Sequence, residues 1–593
     1  MARAVRLSDY AIAAMQALRR EASSTVNAIG LLRSMRALGP VPDGLSAFPT
    51  DIHAGNPERG AAILDGRFQL AGDQLDVPPG EAGVWTRSTP SRAFARRLHG
   101  FSWLRDCAAV PGEAAVTEAR RLTDAWVRTF GRWNSFSWSQ DVLSARLLTW
   151  LRHGELLFAP PDAQDSEATK RHAARLRCLV RQARYLQRAL PLAPDGAIRL
   201  RCAAVLTLCG LCLPGQAGML KAAISAYSHE IERQILPDGG HVSRAPRAAL
   251  EALVDLVTVR DVAASVGCEL PPPLTRAIDR LAAMARFFQM VDGGLANFHG
   301  GGEGDRAALA AILERDDIKS RSFGFAPHSG YQRAEAGGAT IVLDVGEPPR
   351  GALSVEAHAS TLAFELCTAN GRLVVNCGWN DDQPANWREA VRATAAHSTL
   401  TLEETSSARL LTPGWRRDLL GSRLASSPGP VMARRNEEEM GVWLEGGHEG
   451  YREQYGLSHR RRVFLAADGG DLRGEDALSR PIEDGAPDDV DARWRFAIRF
   501  HLHPSVRASL ARDSMSVLLV QESGAGWRFR SDGGPIRLER SVYLAAGAPP
   551  QRATQIVVQG EAEPFGAGDR PPNRVRWAFQ RLGRIGGAAG DTA

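Results

Sequence analysis

A chain of 593 residues exceeds what one hydrophobic core organises, and 44% hydrophobic with 23% charged residues mark an ordinary globular protein of roughly two to four domains. Its 72 basic against 67 acidic residues leave a net charge of only +5, which argues against a dedicated nucleic-acid binder and leaves room for a local basic groove facing an anionic substrate. No apolar run reaches the ~18 residues of a membrane span.

Residues 1–50 read as a helical extension. Leu7, Ile12, Met15 and Leu18 recur near helical spacing, and Arg19, Arg20 and Glu21 close the segment, the pattern of an amphipathic helix. The apolar core and cleavage site of a signal peptide are not recognisable there. From 51 to 310 the signal is helical. AVTEARRLTDAWVRTFGRW sets Ala119, Leu122, Trp126 and Phe130 on one face, and DVLSARLLTWLRHGELLF does the same with Leu143, Leu147 and Leu151. Turns such as ALPLAPDG, LPGQAG and ELPPP stop the helices. Paired helices with short connections and no fixed repeat predict an α/α toroid, an incomplete barrel of helix pairs. Cys209-Gly210-Leu211-Cys212 falls within one helix, where buried free thiols in a reducing compartment are the expectation.

HGGGEG, from His299, reads as a glycine-rich hinge, and 311–325 as a linker. Over 326–580 short strands separated by Gly, Asn and Asp turns predict an antiparallel β-sandwich, so the chain is α+β and multidomain. Residues 581–593 are expected to form a disordered tail. Within the sandwich, Leu362, Phe364 and Leu366 alternate with Thr361, Ala363 and Glu365, as in a half-buried strand. Asn370-Gly371 signals a hairpin, Leu373–Val375 returns, and a third strand opens at His397. His358 and His397 thus stand at strand starts, with Trp387, Arg388 and Arg392 in the loop between them.

Several groups have side chains suited to chemistry. Trp and Arg residues of the helical half can stack on sugar rings and pair with acidic groups. Asn134 and Trp138, in the polar FGRWNSFSWSQD loop, are the most open of these; core packing is the plainer alternative for the tryptophans. The Pro-Asp-Gly-Gly turn at 237–240 presents His241 and Arg244, the histidine as acid or base or as a turn residue bonded to backbone. Tyr451 beside His448 makes an acid/base pair or merely fixes a hairpin. His501 and His503 share a strand face, but HxH alone lacks a third zinc ligand. No GxSxG, HExxH or Walker A motif, and no GxGxxG in a useful context, is present, which removes most hydrolase, zincin, kinase and dinucleotide readings.

The segments WSQDVLSARLLTWL, EIERQILPDGGHVSR, SGYQRAEAGGATIVLDVG, AHASTLAFELCTANGRLVVNCG, RATAAHSTLTL and HEGY…HRR together resemble the heparinase II/III family of polysaccharide lyases, over most of the chain. The resemblance implies a toroid followed by a sandwich, and cleavage of uronate-containing glycans by β-elimination. In that reaction a Tyr or His removes the C5 proton and a Tyr protonates the leaving oxygen. An Asn, Arg or His must neutralise the neighbouring carboxylate, because the C5 proton is otherwise too weakly acidic.

The chain departs from that pattern in three places. Arg199 and Arg201 in AIRLRC stand where the family carries an Asn, and Ala248 stands near the place of the Tyr. The zinc site of some relatives maps onto His358, Asn376 and His397, an amide replacing a carboxylate; zinc binding is therefore expected to be weak or absent, and no cofactor is required. His241, His358, Tyr451 and His448 remain for proton transfer, with Arg244, Asn134, Trp138, Arg201, Arg388 and Arg392 toward the substrate.

The expected function is thus cleavage of an anionic polysaccharide. The alternative on the same fold is a non-catalytic glycan-binding or envelope-polysaccharide assembly protein. A toroidal glycoside hydrolase would need two carboxylates across the groove, for which Asp141, Asp238 and Glu251 are candidates. Neither nucleic acid nor a membrane span is expected. The resemblance implies a periplasmic setting, whereas the unrecognisable export signal fits the cytoplasm.

Overall fold

The computed structural model describes residues 5–28, 39–78, 83–162, 164–480, 492–547, 549–563 and 573–584. Its helical half forms two layers. The inner helices Gln140–Arg152, Ala197–Cys212 and Pro246–Ser265 pack on one another, and Ser166–Ala189, Ala217–Gln234 and Pro272–Phe288 cover them from outside. Ala197–Cys212 is buried without a break from Cys202 to Cys212, which is why its sequence is apolar all round rather than striped. Proline at the first turn starts both Pro246–Ser265 and Pro272–Phe288, where its missing N–H costs nothing. All eight cysteines are free.

The second half is a sandwich of a nine-stranded and an eight-stranded sheet, with every strand pairing antiparallel. The hairpin at Asn370-Gly371 joins Phe364–Thr368 to Gly371–Val375, with Gly371 at φ 106°. Phe364–Thr368 is buried on both faces rather than one. Phe364 and Leu366 enter the core between the sheets, while Ala363 and Cys367 enter the core of the helical half. The nine-stranded sheet is therefore the middle layer of the molecule, and the toroid covers the face that alternation assigns to water.

Other boundaries also move. The N-terminal helix, Leu7–Ala28, straddles both halves: Ala13 packs with Leu411 and Leu420, and Arg20 donates to Leu192 O. Its stripe of Leu7, Ile12, Met15 and Leu18 faces outward, with Leu7 89% exposed, so the helix docks through Ala13 and Tyr10 instead. HGGGEG is not a free hinge, because a Cβ on Gly302 would lie 2.6 Å from Ala545 O. The 311–325 segment begins inside the helix Arg306–Leu313, and the last strand runs to Arg584, into the expected tail. The rest of that tail lies outside the described residues.

The two sheets are clamped by a buried ion pair. Arg461 donates to both oxygens of Asp476 (2.8 and 2.9 Å) and reaches across to Leu362 O and Ser398 O in the other layer. His459 and Trp577 donate to the same carboxylate. Removing one partner of such a pair strands the other in a low-dielectric core. Asp476→Ala is expected to lower stability to denaturant by about 3–5 kcal/mol; a loss below ~1 kcal/mol would show that the pair does not clamp the sheets.

Candidate functional site

The halves meet at a buried polar network centred on Asp344. Its Oδ1 accepts from Arg244 Nη2 (2.5 Å) and Gly346 N, and its Oδ2 accepts from the Ser360 hydroxyl (2.7 Å). The guanidinium beside it holds the carboxyl below the ordinary carboxylate range despite burial. His299 Nδ1 accepts from the His358 backbone N–H (3.1 Å), which leaves the His299 proton on Nε2, aimed at Asp344 Oδ2 3.5 Å away. Arg244 Nη1 lies 3.0 Å from the same nitrogen, but in this tautomer both groups are donors and no bond forms. Arg244, His299 and Leu362 around this centre are non-glycine residues at φ 59°, 48° and 66°. Left-handed backbone at such residues is strained, and such strain gathers where the surroundings over-determine geometry, often at functional sites.

Two more histidines continue the network. His397 Nδ1 donates to Ala393 O (2.8 Å), so His397 Nε2 accepts from His358 Nδ1 (3.1 Å). The remaining lone pair is on His358 Nε2, which faces Gly300 and has no hydrogen-bond partner among the described residues. Burial holds His397 at about 4 and His358 well below its ordinary value, so both rings are neutral. Contrary to the sequence expectation, His358 and His397 sit in irregular segments rather than at strand starts; the third strand is Leu400–Leu402.

The donor set does not fit zinc. Asn376 Oδ1 already accepts from Ser398 N, and its Nδ2 donates to Asn297 O and Glu365 Oε1. That leaves two neutral imidazoles bonded to each other and no anionic ligand for a tetrahedral site. Among the described residues no group of three or more His, Cys, Asp or Glu is placed to hold a metal ion.

A strip of glycines lies between this network and a charge-paired cleft, a half-exposed band of ion pairs where helices meet the sandwich. Gly300 borders His358, and Gly301 borders Arg247. In the cleft Arg247 binds Glu251 (2.9 Å) and Asp381 (3.4 Å), and Arg201 binds Glu251 (3.0 Å) and Asp255 (3.2 Å). Arg97 pairs with Asp382 and Arg96 with Asp141. Glu251 is held down at about 2 by the arginines, although about a third of its side chain is exposed (32%). The cations of the cleft are thus matched by carboxylates of this chain, two of them, Asp381 and Asp382, from the sandwich.

Most of the other residues expected at a site do structural work. His241 accepts from Ser243 Oγ (2.7 Å) and donates to Gln234 Oε1 (2.8 Å), leaving neither nitrogen free. Arg244 is consumed by Asp344 and the Ser329 and Gly330 carbonyls. Tyr451 donates to Leu400 O from within the sandwich, and burial pushes its phenol well above its ordinary range. His448 accepts from Gly450 N and packs on His459, away from the cleft. Asn134 caps its own loop through Phe136 N and Ser137 N, while Trp138 is buried and donates to Phe130 O. Arg392 donates to Ala357 O, Ser354 O and Ser422 O, and Arg388 is an exposed partner of Glu356. Asp238 accepts from His328 N and Ser329 N, so it is unavailable as a hydrolase carboxylate. His501 and His503 turn to separate serines, Ser541 and Ser505.

Sequence reasoning passed over His299, Asp344, Arg247 and Asp381. His299 was hidden in the glycine run, and Asp344 closes the strand Ala339–Asp344 with nothing in its neighbours to mark it; no local spacing links either to His358.

A model of the heparinase II/III-like C-terminal domain matches residues 318–578. FtsZ-localized protein C of Caulobacter vibrioides is 38% identical over 546 residues, covering 91% of each chain. The crystal structure of heparinase III aligns over 96% of this chain and 91% of that one at 14% identity and a TM-score of 0.66. A heparan sulfate lyase HepC mutant from Pedobacter heparinus gives 95% and 88% coverage, 16% identity and a TM-score of 0.59. The two structures share the toroid-plus-sandwich architecture.

The buried neutral histidines make the fold acid-sensitive. His241 and His397 are held at about 4 against an ordinary 6.5, so their contribution is complete above the higher value and is lost as pH falls toward the lower one. Each such group costs about 3 kcal/mol when the fall is complete. The thermal midpoint is expected to drop steeply between pH 6.5 and 4, and a flat midpoint over that window would contradict the neutral assignment.

Proposed function

Because this chain belongs to the heparinase II/III-like family, we propose that it is a non-catalytic member that uses the lyase fold to bind an anionic glycan. The observation that carries this reading is the charge-paired cleft. Elimination next to a uronate needs a cation or donor free to neutralise the carboxylate in the transition state. Arg201 and Arg247 are committed to Glu251, Asp255 and Asp381, and a uronate entering there would meet those carboxylates. Proton transfer is equally unsupported: Tyr451 and His448 lie inside the sandwich, and His241 is bonded through both nitrogens. Of the four residues expected to transfer protons, His358 is the one that keeps a lone pair without a partner among the described residues, and its depressed basicity makes it a weak base near neutral pH.

Incubation with glucuronate-, iduronate-, galacturonate- and mannuronate-containing polysaccharides is expected to yield no ultraviolet-absorbing unsaturated uronate. Product from any of them, lost in His358→Ala, would overturn the non-catalytic reading and restore a lyase with His358 as base.

A second reading, localisation with FtsZ, is favoured by the match along nearly the whole of both chains to a relative named for that property. A fluorescent fusion of this chain is expected to follow FtsZ in cells that co-express it; a diffuse signal would remove this reading without bearing on glycan binding.

A further inference from the structure

The helix Arg92–His99 carries two different surfaces. Arg96 and Arg97 turn to the charge-paired cleft, whereas Arg92, Ala95 and His99 line a pocket of about 730 Å³ with Trp85, Phe130 and Phe136. The size is that of small-ligand sites, ~300–1,000 Å³. Ser88, Thr89 and Ser135 add hydroxyls, Arg87 and Arg92 stand exposed at its mouth, and no Asp or Glu lines it among the described residues.

The back of the pocket carries an unused donor. Trp126 Nε1 donates to His99 Nδ1 (3.1 Å), which puts the His99 proton on Nε2. His99 is only 8% exposed, and this N–H has no partner among the described residues. Phe130 and Phe136 stand edge-on to the imidazole at 4.7 and 5.7 Å and hold its plane. Behind it lies Arg146, fully buried. Arg146 bonds only Gln182 Oε1 and His99 O, stacks 4.2 Å from Trp126, and leaves Nη2 without a partner. A buried guanidinium with no carboxylate bonded to it imposes a positive potential on the nearest cavity. Burial and that charge hold His99 at about 4, so it stays a neutral donor at physiological pH.

We propose that this pocket, rather than the cleft, binds the charged sugar residue of an anionic glycan. The aromatic rings lining the pocket offer π-faces to the C–H face of the sugar, His99 Nε2–H meets a ring or carboxylate oxygen, and Arg87 and Arg92 meet the charge. The assignment rests on the glycan-binding reading above and adds where the ligand sits and what charge it carries.

Titration calorimetry with glucuronate, iduronate, galacturonate and mannuronate oligosaccharides, each beside its carboxyl-reduced neutral form, tests it. At least one charged form is expected to bind, with its neutral counterpart about tenfold weaker or worse. Arg92→Glu and Phe136→Ala, both at accessible positions, are each expected to weaken binding by about tenfold or more while leaving the melting temperature unchanged. No binding by any charged oligosaccharide overturns the inference. So does binding that both variants leave intact, which places the ligand elsewhere while glycan binding stands. Unsaturated product in the same cell, with binding still lost in both variants, sinks the non-catalytic reading and leaves the pocket assignment in place.

Discussion

Everything at the junction of the two halves leans on the carboxylate of Asp344. It has no exposure, and it draws Arg244 of the toroid into the sandwich. A buried anion of this kind is tolerable only when its lone pairs are used, and here Arg244, Gly346 and Ser360 use them. The backbone pays with three left-handed residues, Arg244, His299 and Leu362. Leu362 ties the arrangement onward, since its N–H donates to Asp344 O and its carbonyl receives Arg461 of the far sheet. One chain of contacts therefore runs from the toroid through the middle sheet to the outer sheet.

Charge is distributed unevenly over this frame. In the cleft, arginines from three helices face carboxylates from two helices and a sandwich loop. A few residues away, on another side of the helix Arg92–His99, Arg146 lies buried without a carboxylate partner among the described residues, and those that line the pocket above it are basic or neutral. On our reading, the attraction for anions lies in this pocket and not in the charge-paired cleft.

Fold class was legible because it is written in periodicity. Helical spacing marked the toroid, Asn370-Gly371 marked a hairpin of the sandwich, and turn residues spaced the strands. The half-buried strand at Phe364 was misread because alternation reports one buried face and cannot report a second domain covering the other. The N-terminal stripe was misread for the converse reason: Ala13 is small enough to dock closely, and the larger Leu7 and Leu18 remain outside. At the candidate site, residue type was visible and partnership was not. Gln234, which occupies His241, and Asp381, which neutralises Arg247, are ordinary polar residues whose effect exists only after folding. His99 and Arg146 lie 47 positions apart and are joined only through the folded helix pair.

Asn376 is fixed in its identity by its bonds. Its amide nitrogen donates to Asn297 O and to Glu365 Oε1, while its oxygen receives Ser398 N–H. An aspartate at this position would keep the last bond and turn a second oxygen against a carbonyl and against Glu365, an acid that burial already pushes up to about 7. The amide fits these neighbours because it offers donors on one side and an acceptor on the other, which a carboxylate cannot do. An anionic metal ligand at 376 is therefore disfavoured by the hydrogen bonds that already hold the position. The junction is tuned for neutrality at this point, so that a single amide keeps a buried acid and a backbone carbonyl satisfied at once.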